Sequence, residues 1–384
     1  MSSTATARRA DVVIRGAGVV GQALALLLAQ ERLRVALVAP PAAPRPDDVR
    51  AYALNNTSRE LLRALRAWPE DVPGAVTPVT GMHVQGDADG TLRFDAAELG
   101  AEALTWIVDV PALERRLAEA IGFAAGVQRV PHADEASGAR LTVVCEGRHS
   151  ATREALGIEH TVFPYPHKAV AARLRASLPH GGIARQWFAD GEVLALLPLG
   201  GEGAHEVALV WSLPTGNADQ WLQGDPAAMA AAVQARSQQA LGELTLLGAP
   251  QSWPLQLSRA RRWISRAAQD AGGTVVLAGD AAHAVHPLAG QGLNLGLADA
   301  AELARVLHAR EYWRELDDPK LLRRYERARA ADVQAMAWVT DGLFSLFGLA
   351  DSRVQLLRNR GLSGFDRSGP LKRWFARQAM GLSL

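Results

Sequence analysis

Cysteine is almost absent from this chain. Cys145 is the single one in 384 residues, so no intramolecular disulfide can form and a cysteine-built structural metal site is excluded. An excess of either charge is missing too: 41 Lys and Arg against 40 Asp and Glu give a formal charge of +1. That balance supplies no concentrated basic face for nucleic acid and favours small or neutral partners. No run of ~18 uninterrupted apolar residues occurs, and the opening MSSTATARRA has no apolar signal core. The expectation is therefore a protein of the reducing cytoplasm that neither spans a membrane nor is secreted. With 48% apolar and 21% charged residues the composition is that of a globular protein. The length exceeds one typical core, so one large or two closely packed domains are expected, able to bury a large cofactor. The ten tryptophans read mostly as core and pocket walls.

Residues 11–15 (DVVIR) form a short β-branched run ending at Gly16. Val19, Val20, Ala23, Leu24, Leu27 and Leu28 then recur at helical spacing, and 34–39 (RVALVA) reads as a second buried strand. Together these make a βαβ unit with glycines at its strand-to-helix corner. A helix is expected over 56–68 with Asn56 or Thr57 as its cap, and another over 111–121 with Pro111 in its first turn. After an apolar strand at 141–145, residues 169–212 change to short alternating strands (AVAARL, IARQWF, VLALLPL, EVALVW) separated by Gly, Pro and Asp turns, the pattern of an antiparallel sheet. Residues 274–278 (TVVLA) return to a buried parallel-type strand, followed by a helix over 293–308, so the chain re-enters its first domain. The expected fold class is α/β: a Rossmann-like dinucleotide-binding domain (1–81, 99–160 and 252–330), an inserted antiparallel-sheet substrate domain (82–98 and 161–251) and C-terminal helices (331–384).

Gly16, Gly18 and Gly21 spell GxGxxG. The first glycine permits the tight turn, the second lets the backbone approach a pyrophosphate, and the third lets helix and strand pack closely. Free amides at the helix N-terminus then hold the phosphates. The carboxylate that usually binds the ribose ~20 residues on is replaced by Ala39, followed by Pro40 and Pro41. Arg50 either pairs with the pyrophosphate through its fork of donors or is a solvated loop arginine.

Downstream, Gly279-Asp280-Ala281-Ala282-His283 precedes Pro287 and the turn Gly290, Gln291, Gly292, Leu293, Asn294. A carboxylate at a strand's C-terminal end can accept hydrogen bonds from a polyol, and a glycine-rich turn opening a helix presents amides to developing negative charge. For a flavin this places Asp280 on the ribityl chain and the later turn near the pyrimidine edge. His283 and His286 do not make a metal site, because Pro287 breaks the helical spacing and no carboxylate cluster accompanies them.

These segments, with DDVRAYALNNTS, LALLPL and LLRRYERARAAD, resemble the FAD-dependent monooxygenases of ubiquinone biosynthesis, relatives of para-hydroxybenzoate hydroxylase, over nearly the whole chain. The resemblance implies an FAD-binding domain and hydroxylation of a polyprenylated phenol with reduced nicotinamide, NAD(P)H, and oxygen. It implies that Arg50 and Asp280 contact FAD, that 291–294 line the isoalloxazine, and that Pro287 sits beside the substrate ring. Because the cofactor carries such chemistry, no nucleophile or general base is demanded. Trp187, Phe188, Leu197 and Pro198 are candidates for the pocket wall or, equally, for ordinary sheet core.

The chain departs from the family pattern at Ala39; at Val110, where relatives carry a polar residue; at Cys145-Glu146-Gly147 in place of Ala-Asp-Gly; and at the short stretch 131–140. These departures motivate a second reading, a non-catalytic relative that scaffolds ubiquinone-pathway proteins. A plain nicotinamide dehydrogenase would explain GxGxxG but leaves GDAAH without a role. The apolar stretch 336–349 and the basic tail beyond it either rest on the inner face of a membrane, admitting a lipid-tailed substrate, or pack as a helix pair on the first domain.

Overall fold

The computed structural model describes residues 10–40, 48–86, 90–136, 138–266, 273–284 and 292–348, with side chains to 335 in the last segment, together with Gly369 and Met380. Its helices are α1 (Val19–Gln30), α2 (Asn56–Ala64), α3 (Val110–Phe123), α4 (Ala151–Ala155), α5 (Thr215–Gln223), α6 (Pro226–Arg236), α7 (Gly292–His308) and α8 (Pro319–Gly348).

The first sheet has six strands in the order Ile264–Arg266, Thr274–Leu277, Leu141–Val144, Val12–Arg15, Val35–Val38, Val127–Val130. All pairings are parallel except that of the first strand. Parallel strands are covered on both faces and so read as continuous apolar runs; Val12, Ile14, Leu37, Leu141, Val143 and Val276 are fully buried. α1 lies on this sheet between α3 and α7. Almost all of its residues from Val19 to Leu28 are buried, as expected for a helix without a polar stripe.

The second sheet is larger. Its path runs His283–Ala284, Gln251–Ala260, His160–Ala176, Glu206–Pro214, Glu192–Pro198, Ile183–Ala189, Gly81–Gln85, Thr91–Asp95, with Leu244–Leu246 added beside His160–Ala176. A third, three-stranded antiparallel sheet joins Ala51–Leu54, Thr105–Asp109 and Val76–Val79. Successive residues of a strand face opposite sides, and this decides the fate of the candidate pocket residues. Trp187, Leu194, Leu196, Val207 and Trp211 face a core closed by Met229 and Val233 of α6 and Ala218 of α5. Ala184, Leu197, Leu199 and Ala208 face the other way, against Ala51, Ala53, Val79 and Ile107 of the third sheet.

Trp187 is therefore not pocket wall: it packs beneath α5 and α6. Pro198 pairs with Val207 in the register and so points to the same covered side. Leu197, opposite Ala208, keeps the face toward the third sheet, and Phe188 packs with Val193 and Val84. Removing the Trp187 ring should cost about 3–5 kcal/mol of stability while leaving cofactor affinity within about twofold. Urea denaturation and FAD titration of Trp187→Ala test this, and a large loss of affinity in a folded variant would return Trp187 to the pocket.

The α2 cap also differs from expectation. Asn55, not Asn56 or Thr57, stands at the N-cap, its side chain accepting from the Ser58 N–H. No helix among the described residues is long and apolar enough to cross a membrane. The side chains of 336–349 and the basic tail lie outside the described residues, apart from Gly369 and Met380. Met380 is buried against Ala96 and Leu104, and its carbonyl accepts the Asn56 N–H at 3.1 Å.

Candidate cofactor site

The glycine corner begins where Val12–Arg15 ends. Gly16 adopts φ +108°, a region closed to most side chains, and a Cβ there would lie 2.4 Å from the Cys145 carbonyl oxygen. A Cβ on Gly21 would lie 1.9 Å from the Gly16 carbonyl oxygen. The α1 helix is thus seated against the turn by two backbone approaches. Gly18 differs: nothing lies within 4 Å of where its Cβ would be. As the N-cap of α1 it brings no side-chain cap, so among the described residues the first-turn amides keep no capping side chain at the positive end of the helix dipole.

The second turn follows Thr274–Leu277 on the neighbouring part of the same sheet. Gly279 has φ +60° and faces the Val20 side chain of α1, as does Gly296 of α7. These contacts bring Asp280 toward the glycine corner. Asp280 is half-buried, and no protein group hydrogen-bonds its carboxylate among the described residues. Burial pushes this carboxyl up, while His283 and Arg148 pull it back and Asp299 adds to the rise. Arg153, buried at 2% exposure, donates to the Ala281 carbonyl at 3.1 Å and to the Arg148 carbonyl at 2.8 Å.

Arg50 is held from within the chain. Its Nε donates to Asp48 Oδ1 at 2.8 Å, its Nη2 to Oδ2 at 2.5 Å, and Glu114 lies 3.8 Å away. Its carbonyl accepts the Val110 N–H at 3.3 Å, so buried Val110 ties the start of α3 to Arg50 through its backbone. Tyr52 sits within electrostatic reach of both Arg50 and Asp280; burial raises its phenol, partly offset by Arg50. A cleft of about 720 Å³ opens outside this cluster, lined among others by Asp48, Asp109, Glu114, Arg115 and Arg173.

At the other end, α7 is pinned by Asn294. Its Oδ1 accepts from the Asn55 N–H (3.0 Å) and Ser58 Oγ (2.7 Å), and its Nδ2 donates to the Ala53 carbonyl (2.9 Å). The Asn294 side chain is therefore a strut joining α7, α2 and the third sheet. Gly292 and Leu293 are half-buried beside it. Pro287, Gly290 and Gln291, like His286, lie outside the described residues. Among the described residues no cluster suited to a metal ion is found.

A clear Gly18, a helix start without a side-chain cap and a half-buried carboxylate without a hydrogen bond among the described residues fit a ligand with a diphosphate and a polyol, as FAD has. The comparisons agree. Residues 123–340 match the family described as an FAD binding domain. The chain is 30% identical to the ubiquinone hydroxylase UbiL of Rhodospirillum rubrum, over 97% of this chain and 90% of that protein. It is also 30% identical to the 3-demethoxyubiquinol 3-hydroxylase of Escherichia coli, over 97% and 98%. The chain belongs to the FAD-binding monooxygenase family. The p-nitrophenol 4-monooxygenase PnpA of Pseudomonas putida shares the fold, with a TM-score of 0.74 at 18% identity over 97% of this chain and 98% of that one.

Within this FAD-dependent monooxygenase the departures from the family pattern have local explanations. Glu146 accepts from Thr152 Oγ1 (2.6 Å), Ser150 Oγ (2.7 Å), the Thr152 N–H (3.0 Å) and Arg15 Nε (3.1 Å). Burial alone would raise its carboxyl, but the hydrogen bonds from Thr152 and Ser150, with Arg15, hold it below the ordinary range. It thus clamps the start of α4 to the first strand. Ala39 ends its strand by donating to the Val130 carbonyl at 2.9 Å and brings no ribose-binding carboxylate. Among the described residues of 131–140, Ala133–Ala136 forms a short 3-10 turn, which helps close a small core with Val13, Ala36, Val38 and Val130.

Sequence reasoning missed Asp48, Tyr52, Arg153, Asp299 and Arg329. The last two left a signal. Leu322, Tyr325 and Val333 mark the buried stripe of α8 and Arg329 interrupts it at helical spacing; Asp299 does the same on α7 among Gly296, Leu303 and Val306.

Proposed function

We propose that this monooxygenase hydroxylates the ring of a phenol bearing an apolar tail, as in the ubiquinone pathway, using NAD(P)H and oxygen. One oxygen atom enters the ring C–H bond and the other leaves as water, with two electrons from the nicotinamide. The observation that carries the reading is the near full-length identity to two hydroxylases named for ubiquinone and demethoxyubiquinol. The placement of the helix start supports it: Asn294 fixes the start of α7 beside Ala53 of the third sheet, whose other side chains meet the apolar Leu197, Leu199 and Ala208 of the large sheet.

Bound FAD supplies the oxygen chemistry. The chain's own residues would hold and orient it: the first-turn amides of α1 would take the diphosphate, Arg50 and Asp280 would contact the cofactor, Gln291 to Asn294 would line its ring, and Leu197 and Pro287 would border the substrate. FAD-loaded protein, given NADPH or NADH and short-tailed 2-prenylphenols, should consume oxygen at least about tenfold faster than without phenol and yield a product heavier by one oxygen atom. Flavin-loaded protein that neither oxidises nicotinamide nor alters any phenol would favour the accessory, non-catalytic reading, in which Ala39 is one of several lost functional positions.

A further inference from the structure

Asp299 is fully buried, and its three partners come from two places in the chain, the 279–283 segment and α8. Oδ2 accepts the Gly279 N–H at 2.9 Å and lies 2.6 Å from His283 Nε2, while Oδ1 accepts Arg329 Nε of α8 at 2.8 Å. Arg329, 7% exposed on its side chain, also reaches Asp332 and the Leu295 carbonyl. His283 stacks on Trp263 at 5.1 Å, and Trp263 packs on Tyr325 of α8.

These bonds flank Asp280 on both sides, one residue before and three after. Asp280 has no hydrogen bond of its own among the described residues, so the direction of its carboxylate is set by the backbone of 279–283. That backbone is held by Asp299 at the Gly279 N–H, by Arg153 at the Ala281 carbonyl, and by the Ala282 N–H to Gly279 carbonyl bond at 2.8 Å, while the His283 side chain ties the end of the segment to Asp299. A buried ion pair is a weak source of stability, because apolar side chains of similar volume often serve as well. What it does provide is a fixed geometry. Here two of the three bonds to Asp299 end on the segment that aims Asp280.

We propose that Asp299 and Arg329 are positioning residues for FAD, fixing the Gly279–Asp280 turn from α8, so that cofactor occupancy and the docking of α8 are coupled. Coupling between two sites is reciprocal: what α8 gives the turn, bound FAD returns to α8.

The test uses the full chain stripped of flavin, titrated with FAD at a temperature well below its unfolding midpoint. Asp299→Asn should weaken FAD binding at least about tenfold. Because that variant leaves the buried Arg329 guanidinium with only the exposed Asp332 as a carboxylate partner, Asp299→Asn/Arg329→Met provides a form without that under-compensated buried charge, with the same expected loss. Tyr325→Phe, which removes only the phenol bond to the Leu277 carbonyl, should lower the unfolding midpoint while FAD affinity stays within about twofold. In the unaltered protein, FAD should slow hydrogen exchange of α8 amides around Arg329. A folded double variant with wild-type FAD affinity would overturn the proposal. So would the absence of FAD-dependent protection in α8, a result that needs no variant to fold.

Discussion

Gly21→Ala is expected to abolish FAD binding, with a loss of at least about 100-fold, and to destabilise the protein by about 3 kcal/mol. The added methyl would stand 1.9 Å from the Gly16 carbonyl oxygen and 3.1 Å from its carbon. Both are backbone atoms of a turn already wedged against Cys145, so α1 must move away from the sheet. The same substitution at Gly18 should behave differently. Its backbone, φ −73° and ψ −179°, suits alanine, and nothing lies within 4 Å. Stability should therefore change by less than about 0.5 kcal/mol, yet FAD should bind about tenfold more weakly, because the methyl occupies the space through which the diphosphate meets the backbone. Thermal unfolding with and without FAD separates the two variants. Wild-type affinity in Gly18→Ala would mean that the dinucleotide lies elsewhere.

Asp280→Asn should move stability and binding in opposite directions. The folded carboxyl titrates above its unfolded value because burial disfavours its charge. Stability from this group is intact below the unfolded carboxylate range and is lost as pH rises through the folded value. Asparagine carries no such charge, so the cofactor-free variant should be more stable at neutral pH by about 1 kcal/mol and should lose that advantage in acid. Its FAD affinity should fall by about 10- to 100-fold, the worth of a charge-assisted hydrogen bond. Urea titrations of the flavin-free proteins between pH 4 and 8, beside FAD titrations, read both effects. A variant less stable than the parent at neutral pH would show that Asp280 has a structural partner.

Much of the cofactor domain was legible in the sequence because its signals are local. A βαβ unit buries its strands on both faces, so 11–15, 34–39 and 274–278 read as apolar runs, and the glycines stand where strand meets helix. Asp280 was legible for the same reason, being the first acidic residue after a buried strand. The sheet face was not. Period-two alternation separates Trp187 and Pro198 from Leu197, but only the placement of α5 and α6, tens of residues later, decides which side is closed. Arg50 illustrates another limit: Asp48 stands two residues away in plain view, yet whether a loop carboxylate turns toward its neighbour depends on φ and ψ, not on spacing. Arg153 looks like an ordinary charged residue of a helix, and although Asp299 and Arg329 each interrupt a buried stripe, nothing in their spacing says that they meet each other, because they lie far apart in the chain.

The strand His283–Ala284 leaves the Asp280 turn and pairs with Gln251–Ala260, Arg259 opposite His283 and Ser258 opposite Ala284. Gln251–Ala260 in turn pairs along the 17-residue His160–Ala176, a beam about 55 Å long at ~3.3 Å per residue. The cofactor turn is thus stitched to the end of the large sheet rather than set across a gap from it. Mechanically the two layers share one closed edge, so that a load on the large sheet reaches the Asp280 turn through main-chain hydrogen bonds, such as that from the Ala260 N–H to the Ala282 carbonyl at 2.8 Å, and not through side-chain packing alone.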